Sequence, residues 1–145
     1  MRHVLGLLLV LFAAFPLRAE VAAIGYVKIV TGEASVTTAE KSVKAEVCTP
    51  VTLGSKLKTG PNSSLGVTFK DETRISIGPV SELTIDEYFY APAQGKLKIS
   101  SKMSKGSLNY VSGVIAKLKP DAVTLTTPSG TIGVRGTQFL VRIEE

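Results

Sequence analysis

The chain has one histidine, one cysteine and no tryptophan among its 145 residues, and each shortage removes a class of chemistry. The sole histidine is His3, at the head of a segment expected to be cut away. Without it, Ser-His-acid and Cys-His nucleophilic constellations are unavailable. The commonest zinc ligands are missing too, and one cysteine cannot build a thiolate site. Nor can Cys48 form an internal disulfide. Within Val47-Cys48-Thr49-Pro50 it reads as a small buried hydrophobe, with an intermolecular disulfide or a reactive thiol as alternatives. The stretch Gly130-Thr131-Ile132-Gly133 lacks the glycine spacing of a nucleotide-binding fingerprint. Two carboxylate pairs remain, Asp71-Glu72 and Asp86-Glu87. Neighbours on a strand point to opposite faces, and Asp71-Glu72 reads as a solvated hairpin tip. The expectation is a protein with no catalytic residues, no metal and no cofactor, and so no enzyme.

Long hydrophobic runs are also scarce. The one present, Val4 to Phe15, follows Met1-Arg2-His3 and precedes Pro16-Leu17-Arg18-Ala19. A short basic start, an apolar core and a small residue at the end form a secretory signal peptide. The run falls short of the roughly 20 apolar residues of a spanning helix. Cleavage is expected after Ala19, with Ala22 or Ala23 as alternatives. That leaves residues 20–145 as one domain, periplasmic or secreted. No cysteine follows the run directly, which argues against a lipid anchor. Removal takes Arg2 and Arg18 but no acid. The basic residues fall from 17 to 15 against 12 acids, and the formal charge from +5 to +3.

Helical periodicity is nearly absent from the remainder. Leu65, Val67 and Phe69 alternate with polar or small residues, as do Ile75 and Ile77, then Leu83 and Ile85. That two-residue repeat is the signature of half-buried strands. Asp71-Glu72 and Gly78-Pro79 supply turns between them. Upstream, Tyr26–Val30 and Ala34–Thr37 flank a turn at Thr31-Gly32. Downstream come Leu97 with Ile99, Leu108 with Tyr110, Val123 with Leu125, and Phe139–Ile143. Only Gly113 to Lys119 suits a helical turn, and Pro120 ends it. Short strands with turn signals every 8–12 residues or so predict an all-β domain. It is either a β-sandwich or a short-stranded, solenoid-like stack in which each rung buries a few aliphatics.

Two surface features suit binding. Lys96, Lys98, Lys102, Lys105, Lys117 and Lys119 fall in a stretch without acids. Lys96 and Lys98 should face solvent from one side. They serve either as a solvated strand surface or as a patch for an anionic glycan or lipid. Nucleic acid is not expected, because the compartment is wrong and the charge modest. Tyr88-Phe89-Tyr90 is the densest aromatic cluster. Alternation sends Phe89 inward with Tyr88 and Tyr90 outward, or the reverse. The outward set is available for contact, since tyrosine is enriched at interfaces.

Two further stretches carry a family resemblance. One is Leu53-Gly54-Ser55-Lys56-Leu57-Lys58-Thr59-Gly60, continued by Phe69-Lys70-Asp71, Pro79 and Ser81-Glu82-Leu83. The other is Thr127-Pro128-Ser129-Gly130-Thr131-Ile132-Gly133-Val134-Arg135-Gly136-Thr137-Gln138-Phe139. In order and spacing they resemble the periplasmic domain of the FecR family of bacterial envelope regulators, over roughly residues 25 to 143. The resemblance implies a strand-built domain outside the cytoplasm. It implies a binding role toward an envelope or outer-membrane protein, with self-association as a further possibility and a link to signalling. Signalling members also carry a cytoplasmic sigma-factor-binding segment and a membrane helix. With three residues before its apolar run, this chain is not expected to relay a signal across the membrane by itself. Arg135, with five donors in a planar fork, either pins neighbouring turns or a carboxylate or joins a binding surface.

Overall fold

The computed structural model describes Ala14, residues 22–39 and residues 41–144. The expected signal peptide, residues 1–19, lies outside the described residues apart from Ala14. The alternation read from the sequence becomes strands where it was strongest. Leu65, Val67 and Phe69 are buried on β6 (Ser64–Phe69), Ile75 and Ile77 on β7 (Arg74–Ile77), and Leu83 and Ile85 on β8 (Glu82–Ala91). Ahead of these come β1 (Ala23–Thr31), β2 (Ala34–Thr38), β3 (Lys41–Lys44), β4 (Pro50–Thr52) and β5 (Lys56–Thr59). After them come β9 (Lys96–Val111), the single helical turn α1 (Val114–Leu118), β10 (Val123–Thr127), β11 (Gly130–Gly133) and β12 (Gln138–Ile143). Lys119 caps α1 and Pro120 comes next, where its missing N–H ends any further helix.

One long strand organises the fold. The 16 residues of β9 belong to both halves of a curled sheet. Its first part pairs with β8 and β10, its last part with β7 and β12. One half therefore runs β4-β1-β6-β7-β9-β12, the other β3-β2-β5-β8-β9-β10-β11. Every ladder is antiparallel except β9 with β10. Gly106 sits where β9 passes between halves, at φ +95°. A Cβ there would lie 2.0 Å from Ser81 Oγ, so only glycine fits.

The chain is all-β, and its sheet curls over one core rather than rising as stacked rungs. Of the three alternating segments, β6 and β7 pair as neighbours, but β8 crosses into the other half. The core is a single cluster drawing on Val27, Val67 and Ile75 from one half and Leu57, Met103 and Leu125 from the other. Phe69 stacks on Tyr88 across the halves, centroids 5.5 Å apart. The fully buried Ile115 carries α1 onto that core.

Two local expectations are corrected. Cys48 is exposed rather than buried. It occupies a turn position at φ +73° with its N–H bonded to the Val27 carbonyl at 2.8 Å, while Ala45 and Val51 take the core positions on either side. Asp71 is no solvated tip but is wholly buried, and Glu72, at φ +70°, takes the exposed corner.

Candidate binding surfaces

The aromatic cluster is divided by a β-bulge. Ile85 pairs with Ser101 and Glu87 with Ser100, which leaves Asp86 without a partner on β9. An extra residue reverses which parity faces inward. Leu83 and Ile85 point into the core before the bulge, and Tyr88 does so after it. Phe89 is therefore the exposed member, at 48%. It stands opposite Lys98, while Tyr90 is half-buried against the core.

Tyr88 is thus withdrawn from the contact surface, because its ring is in the core and its hydroxyl is engaged. That hydroxyl donates to Asp71 Oδ1 at 2.8 Å and accepts from the Asp71 N–H at 3.0 Å. The other carboxylate oxygen accepts from Thr73 Oγ1 at 2.6 Å and from the Ile115 N–H at 3.1 Å. The Asp71 carbonyl accepts from the Val114 N–H at 2.8 Å. One buried acid thereby fixes the β6–β7 turn, α1 and Tyr88 together. Gly113 permits the approach, since a Cβ there would lie 2.4 Å from the Asp71 carbonyl oxygen. Burial pushes the Tyr88 hydroxyl far above its ordinary pKa, and the hydrogen bond to Asp71 adds to the shift. Burial likewise raises the pKa of Tyr110 against an opposing pull from nearby Thr73, and no hydrogen bond of good geometry reaches its buried hydroxyl among the described residues. The Asp71 cluster is structural, and sequence reading missed it. The usable signal was Thr73 two residues after an aspartate, an arrangement that lets side chains close a turn.

Arg135 lies in the connection between β11 and β12 and binds Asp121 at 2.8 Å, with both side chains more than 70% exposed. It thereby ties that connection to the turn before β10, but an ion pair so open to water adds little stability. Beyond it runs β12, hydrogen-bonded to β9 alone among the described residues. Phe139 stacks on Tyr110, centroids 4.7 Å apart. Leu140 projects outward at 77% exposure. Along one side of this strand, Leu140, Val141 and Arg142 join Ser76, Ser107 and Asn109 around an open groove of about 440 Å³.

Lys96 and Lys98 are exposed on one side of β9, as alternation requires, and Lys98 is paired with Glu87. Lys102 and Lys105 continue that face. Lys117, by contrast, goes with α1, where it shares a groove with Glu72 and Arg74. Two lysines outside the expected stretch join instead. Lys56 binds Glu82 at 2.9 Å, and Lys58 stands directly opposite the same acid. The hydrogen bond from Lys56 holds the Glu82 carboxyl below its usual pKa against a partial desolvation, with Lys58 and Lys105 adding to the pull. Lys96, Lys98, Tyr88, Tyr90 and Arg135 therefore do not form one site. They divide among a lysine face, the core and an exposed turn.

No helix among the described residues is long and apolar enough to cross a membrane. No curated protein and no solved structure matches the chain. Residues 55–145, from the loop before β5 through β12, match the family model described as FecR protein, and the chain belongs to the FecR family.

Proposed function

We propose that this chain supplies an exported, non-catalytic binding domain to an envelope signalling or regulatory system, and that it engages a protein partner along the free edge of β12. The family is one of signalling and regulation rather than catalysis, which supports the reading at the coarse level. The observation that carries the finer one is the edge itself. Among the described residues β12 pairs on one side only, so its other side offers unpaired N–H and C=O groups to an incoming strand. Its inward residues Phe139, Val141 and Ile143 are only partly buried, because no further strand covers them. A strand added there would extend the ladder and bury these side chains. The partner is an envelope or outer-membrane protein, or a second copy whose β12 lies antiparallel to the first.

Leu140→Lys tests this. A charge on an edge strand discourages pairing, yet at so exposed a position it should move stability by less than about 0.5 kcal/mol. The unaltered protein is expected to retain a partner from envelope extract at high salt, with slowed amide exchange across residues 138–143. The variant is expected to lose both. An identical complex formed by the variant, with β12 amides exchanging freely, would defeat the proposal.

A further inference from the structure

The outward side of the seven-strand half is an array of ammonium groups and hydroxyls that an edge contact at β12 leaves unused. Register fixes its layout. Thr37 stands opposite Lys56, Lys56 opposite Thr84, Thr84 opposite Lys102, Lys102 opposite Thr126, and Thr126 opposite Thr131. A second row runs Lys44, Ser35, Lys58, Glu82, Lys105. The intervening positions Val36, Leu57, Leu83, Met103 and Leu125 are all buried, which sends both rows to the opposite, solvent side.

Lysines on alternate strands lie about 10 Å apart, twice the strand spacing. That is about one Debye length at 0.1 M salt, so their fields overlap. Three acids interrupt the array, and one of them, Asp86 at the bulge, is exposed without an ion-pair partner among the described residues. Glu82 is bound to Lys56 and Glu87 to Lys98. Lys58, Lys102 and Lys105 have no ion-pair partner among the described residues. A surface that seats on a bilayer sets apolar side chains beside its cations. Here the exposed large apolar side chain on the face is Phe89, at its far end. Between the lysines lie hydroxyls instead. Thr37 bonds Ser42 at 3.1 Å, Thr124 bonds Ser100 at 3.2 Å, and Thr126 and Thr131 are 3.2 Å apart. Each hydroxyl has one donor and two acceptor sites, so these pairings leave capacity for a ligand.

We infer that this face binds an anionic polysaccharide, its lysines meeting carboxylate or phosphate groups and its threonines and serines meeting sugar hydroxyls. The test measures affinity of the purified protein for polygalacturonate. Neutral dextran, polyphosphate and phosphatidylglycerol vesicles serve as comparators. The variant Lys58→Gln/Lys102→Gln/Lys105→Gln should weaken polygalacturonate binding about tenfold or more, as should raising salt from about 0.1 to about 1 M. The variant Lys70→Gln/Lys117→Gln/Lys119→Gln has the same net charge but changes Lys70 at the β6–β7 turn and Lys117 and Lys119 on and just after α1, off the face, and should bind within about twofold of the unaltered protein. Lys102→Gln alone preserves the test should the first triple variant melt early. Equal losses in both triple variants would overturn the inference, because net charge alone would then suffice. Equal or tighter binding to polyphosphate or to vesicles through the same lysines would overturn it as well, as would no binding to polygalacturonate.

Discussion

Replacing Asp71 by alanine should remove a large share of the domain's stability. The carboxylate is fully buried and accepts three short hydrogen bonds, from Tyr88, Thr73 and the Ile115 N–H. A buried donor left without its acceptor costs about 1–3 kcal/mol. Three such losses do not simply add, because the substitution also relieves the cost of keeping a carboxylate out of water. Tyr88 can rotate its hydroxyl, whereas the Ile115 N–H is fixed by the backbone and cannot. The net expectation is a loss of about 3–5 kcal/mol, against a total of about 5–15 kcal/mol for an ordinary domain.

The assay is urea unfolding of the purified protein, with the midpoint compared at constant slope. Tyr88→Phe is the companion variant. It keeps the ring stacked on Phe69 but deletes one donor to a charged acceptor, and should cost about 1.5–3 kcal/mol. The double variant should cost less than the sum of the two, since both remove the same bond. If Asp71→Ala unfolds within about 0.5 kcal/mol of the unaltered protein, the carboxylate is not holding α1 and the β6–β7 turn to the core.

Alkali should destabilise the fold. Burial raises the Tyr88 and Tyr110 hydroxyls above their ordinary value of 10.0, so above that pH the unfolded chain releases protons that the folded one keeps. Stability is then complete below pH 10 and falls above it, by up to about 1.4 kcal/mol per pH unit for each tyrosine. Urea midpoints at successive pH values should show the decline, and a flat profile would contradict the assigned burial. Deleting Asp86 should cost about 3–5 kcal/mol by turning Tyr88 out of the core, whereas Asp86→Ala, at an exposed side chain, should cost less than about 0.5 kcal/mol. Thermal melts of the pair check this, and a deletion variant as stable as the substitution would show that strand phase is not what buries Tyr88.

Where alternation was uninterrupted, the fold could be read from the sequence. Leu65, Val67, Phe69, Ile75, Ile77, Leu83 and Ile85 all face inward, because the two-residue repeat of a strand is local and needs no partner to set it. What could not be read depends on pairing between distant segments. The bulge at Asp86 exists only as a mismatch between β8 and β9, and it decides that Tyr88 rather than Phe89 enters the core. The environment of Asp71 depends on Ile115, 44 residues away. A turn of two acids looks solvated until α1 is laid over it. The lysine face follows the same logic. Lys96 to Lys119 form a run along the chain, but the array takes Lys56 and Lys58 from β5 and loses Lys117 to α1. Sequence proximity along one strand says which side a lysine faces, and register across strands says which lysines share a surface. The lysine face of this FecR-family domain is therefore a property of strand order, set by β8 crossing from the β7 side to pair with β5, and no stretch of sequence contains it.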